Sequence, residues 1–239
     1  MVTTSLADDI AITKSEFEII PADNDILRHE AYRLRYQVYC VENNFLSGIN
    51  GLEMDEYDAH AQHMILCHRQ SGTIVGTVRL VLPKADRSEE SFPILRFYNI
   101  SLSKELHLAR CGEGSRFAIS RHRLSFMRSI PHVLRLWLIQ GVVRMSLKAG
   151  HTHILAILDP RLLRLFRMNG INFHKLGPTV EYHGCRQPAF IETATMLAEV
   201  RSTHPQIWEV MTDGERHTEP VATHLSRAET IPPFAEALS

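Results

Sequence analysis

Arg35-x-x-x-Tyr39, Phe45 and the run Gly51-Leu52-Glu53-Met54-Asp55-Glu56-Tyr57-Asp58 open an ordered series of charged and aromatic residues. Gly76-Thr77-Val78-Arg79-Leu80 and Glu113-Gly114-Ser115-Arg116-Phe117-Ala118 complete it. Arg35, Arg79, Arg116, Asp55, Asp58 and Glu113 fall where the surrounding pattern predicts strand ends and a loop. Such groups need partners or a scaffolded site, because an unpaired buried charge is costly. The set meets the demands of acyl transfer to an amine. Glu113, at the start of a central strand, is the candidate general base. Backbone N–H groups around Phe117–Ile119, where that strand leaves its neighbour, would stabilise the oxyanion. Arg79 and Arg116 would bind an acceptor carboxylate or order Asp55 and Asp58, and Arg35 is the third such cation. Tyr39, Phe45 and Leu46 would close the acceptor side. A second reading stands beside this one: Arg35, Arg79, Asp55 and Asp58 form a structural ion-pair cluster, and Glu113 pairs with Arg116 three residues on.

The elements that must position these groups are legible in outline. Phe17 to Ile20 reads as a short strand, and Asp23 or Asn24 as the cap of a helix over 25–42, with Leu27, Ala31, Leu34, Val38 and Val41 on one face. Residues 43–60 read as an acidic loop. Met64–Arg69 and Ile74–Leu82 flank Gln70-Ser71-Gly72-Thr73 as a hairpin. Residues 83–93 read as a charged, mobile segment, and Lys104–Ala109 as a short helix. Arg116–Ser120 reads as a central strand, followed by a helix over 125–149 with Pro131 in its first turn or kinking it. His153–Leu158 is an apolar strand, Asp159-Pro160 starts a helix that Gly170 ends, Asn172–Lys175 starts a strand, and 189–200 holds another. A final helix spans 206–211. This order predicts a mixed α/β sheet with helices on both faces, in one domain over 1–213, and a polar, disordered tail over 214–239.

A chain of 239 residues, 44% hydrophobic and 22% charged, is long enough for one sizeable core and ordinary in composition for a soluble protein. No apolar run reaches the ~20 residues that span a bilayer, and Asp8 and Asp9 in place of a basic n-region argue against a secretory signal, so the expected location is the cytoplasm. Cys40, Cys67, Cys111 and Cys185 are scattered and read as reduced thiols. His151-x-His153 and the pair His60 and His63 lack supporting ligands, so no metal is expected. Charge is unevenly spread. Residues 1–60 hold 4 Lys/Arg against 12 Asp/Glu, whereas 110–175 hold 12 against 2. That basic segment favours an acidic partner. No nucleic-acid-binding motif accompanies it, so an acidic carrier protein or the phosphates of a coenzyme fit better.

The order and spacing resemble the acyl-homoserine-lactone synthases, and more closely the acyltransferases that accompany PEP-CTERM/exosortase systems; both have the GNAT fold. Tyr32-Arg33-Leu34-Arg35-Tyr36-Gln37-Val38-Tyr39-Cys40, the 51–58 run, Asp159-Pro160-Arg161-Leu162-Leu163-Arg164 and Val180-Glu181-Tyr182-His183-Gly184 carry the closer resemblance, over residues 17–195. The resemblance to the synthases implies Glu113 as catalytic base, with Arg116 beside it, and Arg35, Tyr39, Phe45, Asp55, Asp58 and Arg79 on the substrate side. Tyr39 stands where the synthases have Phe, and Phe45 where they have Trp. Loss of that indole argues against S-adenosylmethionine as acceptor.

Many coenzyme-A-dependent GNAT enzymes follow the central strand with a glycine-rich turn that cradles a pyrophosphate. Here the stretch reads Ser120-Arg121-His122-Arg123-Leu124-Ser125, without glycine. Arg121, Arg123 and Arg128 occupy the region, which favours a donor held by charge, the acyl carrier protein, over coenzyme A. The expected activity is transfer of a fatty acyl group from a thioester to the amine of an amino acid or related compound, with no permanently bound cofactor. Lactone synthesis from S-adenosylmethionine and a non-catalytic binding module are the alternatives.

Overall fold

A computed structural model of the chain describes residues 5–85, 90–97, 106–127, 133–181 and 184–214. Arg128, Pro131, Tyr182, His183, residues 86–89 and the tail beyond 214 lie outside them.

The N-terminal segment, which the sequence left unassigned, is a helix, α1 (Leu6–Glu16), closed by reciprocal Ser5–Asp8 capping. It leads into β1 (Phe17–Pro21), and Asn24 caps α2 (Asp25–Tyr36), its side chain accepting from Leu27 N–H at 2.9 Å. The helix expected to run to 42 changes character at Gln37: Gln37–Glu42 is π-helical, with Asn43 Nδ2 bonded to the Val38 carbonyl at 2.6 Å. A 3₁₀ turn over Glu56–His60 interrupts the expected loop. The hairpin of β2 (Ala61–His68) and β3 (Ile74–Val81) forms as expected, with Gly72 at φ +67° in its turn.

Beyond the hairpin lie α3 (Pro93–Phe97), a 3₁₀ turn at Leu108–Arg110 and β4 (Cys111–Ile119). The short helix read over Lys104–Ala109 is reduced to that 3₁₀ turn in its described part. Residues 121–127 are turns rather than the start of a long helix; α4 covers Leu134–Lys148. Then come β5 (His153–Leu158), α5 (Pro160–Met168, capped by Asp159 and ended by Gly170 at φ +78°), and the two-residue strands β6 (His174–Lys175) and β7 (Val180–Glu181). β8 (Cys185–Glu192) starts before the strand expected at 189, and Thr193–Thr203 is a helix, α6, because Met196 and Val200 bury at helical spacing. α7 (Pro205–Thr212) closes the described chain.

The strands form a mixed sheet in the order β1-β2-β3-β4-β5-β8-β6, with β7 beside β8. All pairs are antiparallel except β4–β5. Strand alternation divides the core: Met64 and Leu66 face α4, α6 and α7, while Ile65 and Cys67 face α2. Tyr57, Val81, Ile94 and Leu155 form a third cluster next to the site. No helix among the described residues is long and apolar enough to cross a membrane.

Candidate active site

The site begins with an irregularity in β4. Its register with β5 ends at Gly114↔Ala156, while pairing with β3 continues to Ile119. Opposite β3 the register slips between Ser115↔Arg79 and Ala118↔Thr77, so two β4 residues, Arg116 and Phe117, face Val78 alone. Arg116 takes the left-handed conformation there, φ +51°, at a cost of about 1–2 kcal/mol for an L-residue. β4 therefore bends away from β5 and opens a gap. Ser120 N–H donates to Val75 O on β3, so the adjacent Ile119 N–H points the other way, toward the gap. The Phe117 carbonyl is also outside the ladder and accepts from Tyr39 Oη at 3.3 Å.

A cavity of about 370 Å³ fills the mouth of this gap, walled by Tyr39, Phe45, Asp55, Glu113, Arg116 and Phe117 among others. Gly114, Ser115, Phe117 and Leu158 also border a second cavity of about 60 Å³, lined by Val142, Ile139 and Phe166 and almost wholly apolar. The two make a polar mouth and an apolar slot on either side of the bent strand.

Three arginines and three carboxylates floor the mouth. Arg35 is fully buried; its Nε lies 2.5 Å from Glu53, and Nη1 and Nη2 reach Asp58 at 2.7 and 3.0 Å. Arg79, equally buried, donates to Asp55 at 2.5 and 3.1 Å, to Asp58 at 2.8 Å and to Ser115 Oγ at 3.0 Å. Arg116 reaches Glu53 at 2.8 Å and Asp55 at 2.7 Å, its guanidinium 5.9 Å from the Tyr39 ring centre. Asp55 and Asp58 also cap the 3₁₀ turn between them. Burial alone would raise these carboxyls, but the guanidiniums outweigh it. Arg35 and Arg79 hold Asp58 well below the carboxylate range, and Glu53 and Asp55 are lowered likewise. The ion pairs expected among Arg35, Arg79, Asp55 and Asp58 are present, and Asp55 and Arg79 line the cavity as well. Arg116 and Asp55, each about a quarter exposed, are the network members that border the mouth with Arg79.

Glu113 stands apart from this network. It does not pair with Arg116, whose guanidinium is turned to Glu53 and Asp55 by the left-handed bend. Its Oε2 accepts from Ile94 N–H at 2.9 Å, and the side chain is buried at the cavity wall. Burial raises its pKa to about 8, against the lowering effects of the Ile94 bond and of Arg79 and Arg116. A carboxyl poised near neutrality beside a cavity is suited to taking a proton from an amine.

The remaining sequence candidates separate. Tyr39, Phe45 and Phe117 line the mouth, whereas the Ile119 side chain packs against the main core and brings only its backbone to the gap. Arg121 is exposed. Arg123 is turned inward, Nη1 donating to the Ile74 carbonyl at 2.9 Å, so its charge is committed to the start of β3. Arg128 is outside the described residues. Sequence reasoning missed Glu53, which holds two of the three arginines, and Arg186, which reaches the same cavity from β8 and lies 3.5 Å from Asp159. Glu53 sits two residues before Asp55, and that alternation was its signal; Arg186 had none.

Residues 34–129 match the acetyltransferase (GNAT) domain family, a span that contains β2, β3, β4 and the ion-pair network. The mixed sheet flanked by helices is a GNAT-like fold, and the matched domain is that of an acyltransferase enzyme. The chain is similar to an acyl-homoserine-lactone synthase of Agrobacterium fabrum, 28% identical over 152 residues, 62% of this chain and 70% of that protein. Its fold is similar to that of FeeM, an N-acyl amino acid synthase from uncultured soil microbes, with a TM-score of 0.59 at 14% identity over 77% of this chain and 93% of FeeM. BjaI, a CoA-dependent acyl-homoserine lactone synthase whose structure contains MTA, gives a TM-score of 0.57 at 21% identity over 83% and 88% of the respective chains.

Proposed function

We propose that this enzyme transfers a fatty acyl group from a thioester, carried by an acyl carrier protein in preference to coenzyme A, to the amine of an amino acid or related compound. The observation that carries the reading is Glu113, a buried carboxyl with its pKa raised to about 8, at a polar cavity that adjoins an apolar slot through the bent β4. The acyl chain lies in the slot and the thioester carbonyl at the bend, where the outward N–H of Ile119 and the backbone at Phe117 face it. The acceptor enters the mouth beside Tyr39 and Phe45. Glu113 takes the amine proton, the nitrogen attacks the thioester carbon, and the oxyanion collapses with loss of the thiol, which picks up the proton. Arg35, Arg79, Asp55 and Asp58 shape the mouth, and Arg116 aligns its rim. Arg121 and Arg128 meet the acidic donor. The association with exosortase systems belongs to this proposal through the sequence resemblance, and neighbouring genes test it.

A second reading, acyl-homoserine-lactone synthesis from S-adenosylmethionine, is favoured by the likeness to the Agrobacterium fabrum synthase. Against it, Phe45, 46% exposed, supplies no indole to the acceptor wall. Mass spectrometry of lipid extracts from cells expressing the chain, beside a Glu113→Ala control, separates the two. N-acyl amino acids in the wild type alone support the first reading; acyl-homoserine lactones support the second. Equal products from both samples would remove Glu113 as the base.

A further inference from the structure

Glu42, the last residue of the π-helical segment, places its carboxylate in the turn that follows β4. Oε1 accepts from Ser120 Oγ at 2.6 Å and from His122 N–H at 3.4 Å, and Oε2 accepts from Arg121 N–H at 3.0 Å. Gln37 Nε2 adds a bond to Oε1 at 3.4 Å, and buried Ser120 accepts Arg123 N–H at 3.1 Å, which fixes the turn. Consecutive backbone N–H groups and a hydroxyl converging on one negative charge, in a turn whose own side chains are Arg121, His122 and Arg123, form an anion site. The anion that fills it is a side chain of the protein itself.

The position matters because β4 ends here, one residue beyond the Ile119 N–H that faces the gap. A donor threading its acyl chain through that gap brings its phosphates near the end of β4. We propose that Glu42 is a specificity-determining residue: it occupies the anion site at the end of β4 and thereby bars the diphosphate of a coenzyme A thioester. The inference rests on the acyltransferase reading and deepens its choice of donor. The N–H groups of Arg121 and His122 cannot serve the carboxylate and a diphosphate together, and the two anions repel. A phosphopantetheine arm on a carrier protein carries one phosphodiester and no diphosphate, and its protein surface supplies the rest of the binding.

The winding of the segment explains how Glu42 gets there. A π-turn accommodates one more residue than an α-turn, and Gln37–Glu42 uses it to present Tyr39 to the Phe117 carbonyl and Glu42 to the Ser120–His122 turn. One six-residue segment thus grips β4 at the cavity wall and at its end.

The test is calorimetric titration of the full chain with coenzyme A and with 4′-phosphopantetheine, for wild type, Glu42→Gln and Glu42→Ala, each checked for folding by circular dichroism. Release of a charge-assisted set of bonds should tighten coenzyme A binding by about tenfold or more in both variants. Phosphopantetheine affinity should stay within about threefold, since its single phosphate does not depend on the vacated site. A folded variant that gains nothing for coenzyme A, or a wild type that already binds it as tightly, overturns the assignment. Should neither variant fold, amide resonances of Arg121 and His122 in the wild type decide. They should be unmoved by inorganic pyrophosphate, and a saturable shift would sink the idea. None of these readouts needs turnover, so a failure of the acyl-transfer reading would appear separately, as absent product in the lipid extracts.

Discussion

Glu113 and Asp58 are carboxyls with opposite electrostatics, and that contrast supports the roles proposed for them. Asp58 sits between two guanidiniums and stays ionised, whereas Glu113 is desolvated, has no salt-bridge partner among the described residues, and has its pKa raised to about 8. Glu113→Gln should lower kcat/KM by about 10²–10⁴-fold. The wild-type rate should rise with pH through about 8, where the carboxyl becomes a base. The same group makes a stability prediction of definite sign. Between its ordinary pKa and about 8 the native state binds a proton that the unfolded chain has lost, so wild-type stability should fall as pH rises through that window. Glu113→Gln should flatten the slope and be the more stable protein at pH 8, read from urea midpoints at pH 5 and 8. A slope unchanged in the variant would mean that Glu113 is not the group responsible. Arg35 is the structural counterpart. Arg35→Met leaves Glu53 to Arg116 and Asp58 to Arg79, so the buried network is one cation short, and should cost about 3–5 kcal/mol. Arg35→Lys should rescue little, because an ammonium cannot serve Glu53 through Nε and Asp58 through two Nη atoms at once.

Elements decide how these groups meet. β4 carries Glu113 on its regular half and Arg116–Phe117 on its bent half, so the bend separates the proposed base from the proposed oxyanion donors by a short stretch of one strand. The π-helical segment braces the bend through Tyr39. Tyr39→Phe removes one hydrogen bond to the Phe117 carbonyl and should cost only about 0.5–1.5 kcal/mol of stability. Its effect on kcat should exceed that on the acceptor KM if the bend positions the thioester; a change confined to KM would assign Tyr39 to acceptor contact alone. The apolar slot is likewise a product of packing between elements. Val142→Phe from α4 would fill space beside Gly114, since both residues line the apolar slot. Overpacking there should cost about 1–3 kcal/mol, and products should shift to shorter acyl chains by mass spectrometry. An unchanged chain-length profile in a folded variant would place the acyl chain elsewhere.

At the scale of the whole molecule, the buried network ties the N-terminal third to the central sheet: Arg35 from α2 and Glu53, Asp55 and Asp58 from the following segment meet Arg79 of β3 and Arg116 of β4. Acid should undo that join cooperatively. Asp58, Glu53 and Asp55 have lowered folded pKa values, so their stabilisation is present above the ordinary carboxylate range and lost as pH falls through the folded values. His63, buried 3.6 Å from Asp58, has its pKa pushed down to about 4, by burial first. The unfolded chain takes up that proton from about pH 6.5, so the decline should begin between 6.5 and 4, before the carboxylates titrate. His63→Gln should delay the onset in a circular-dichroism acid titration; an identical onset would leave the early loss to other groups.

Local rules settled much of this in the sequence. Apolar runs on either side of a turn signal marked β2 and β3 and a further run marked β5, Asn24 and Asp159 capped the helices they were expected to cap, and Gly72 and Gly170 stood where φ is positive. The spacing from Arg35 to Arg116 marked the ion-pair network, because charges that recur at strand ends must find one another. Three features were beyond such reading: the π winding that delivers Glu42, the bend at Arg116 that turns its guanidinium from Glu113 to Glu53, and Arg186 arriving from β8. Each depends on contacts between residues tens of positions apart, whose energies outweigh local propensity and leave no periodic mark. The sequence by itself determined which groups could do chemistry and the elements that carry them. Only the tertiary structure decided which carboxylates are held ionised by arginines and which is desolvated with its pKa raised, because pairing and desolvation belong to the packed interior.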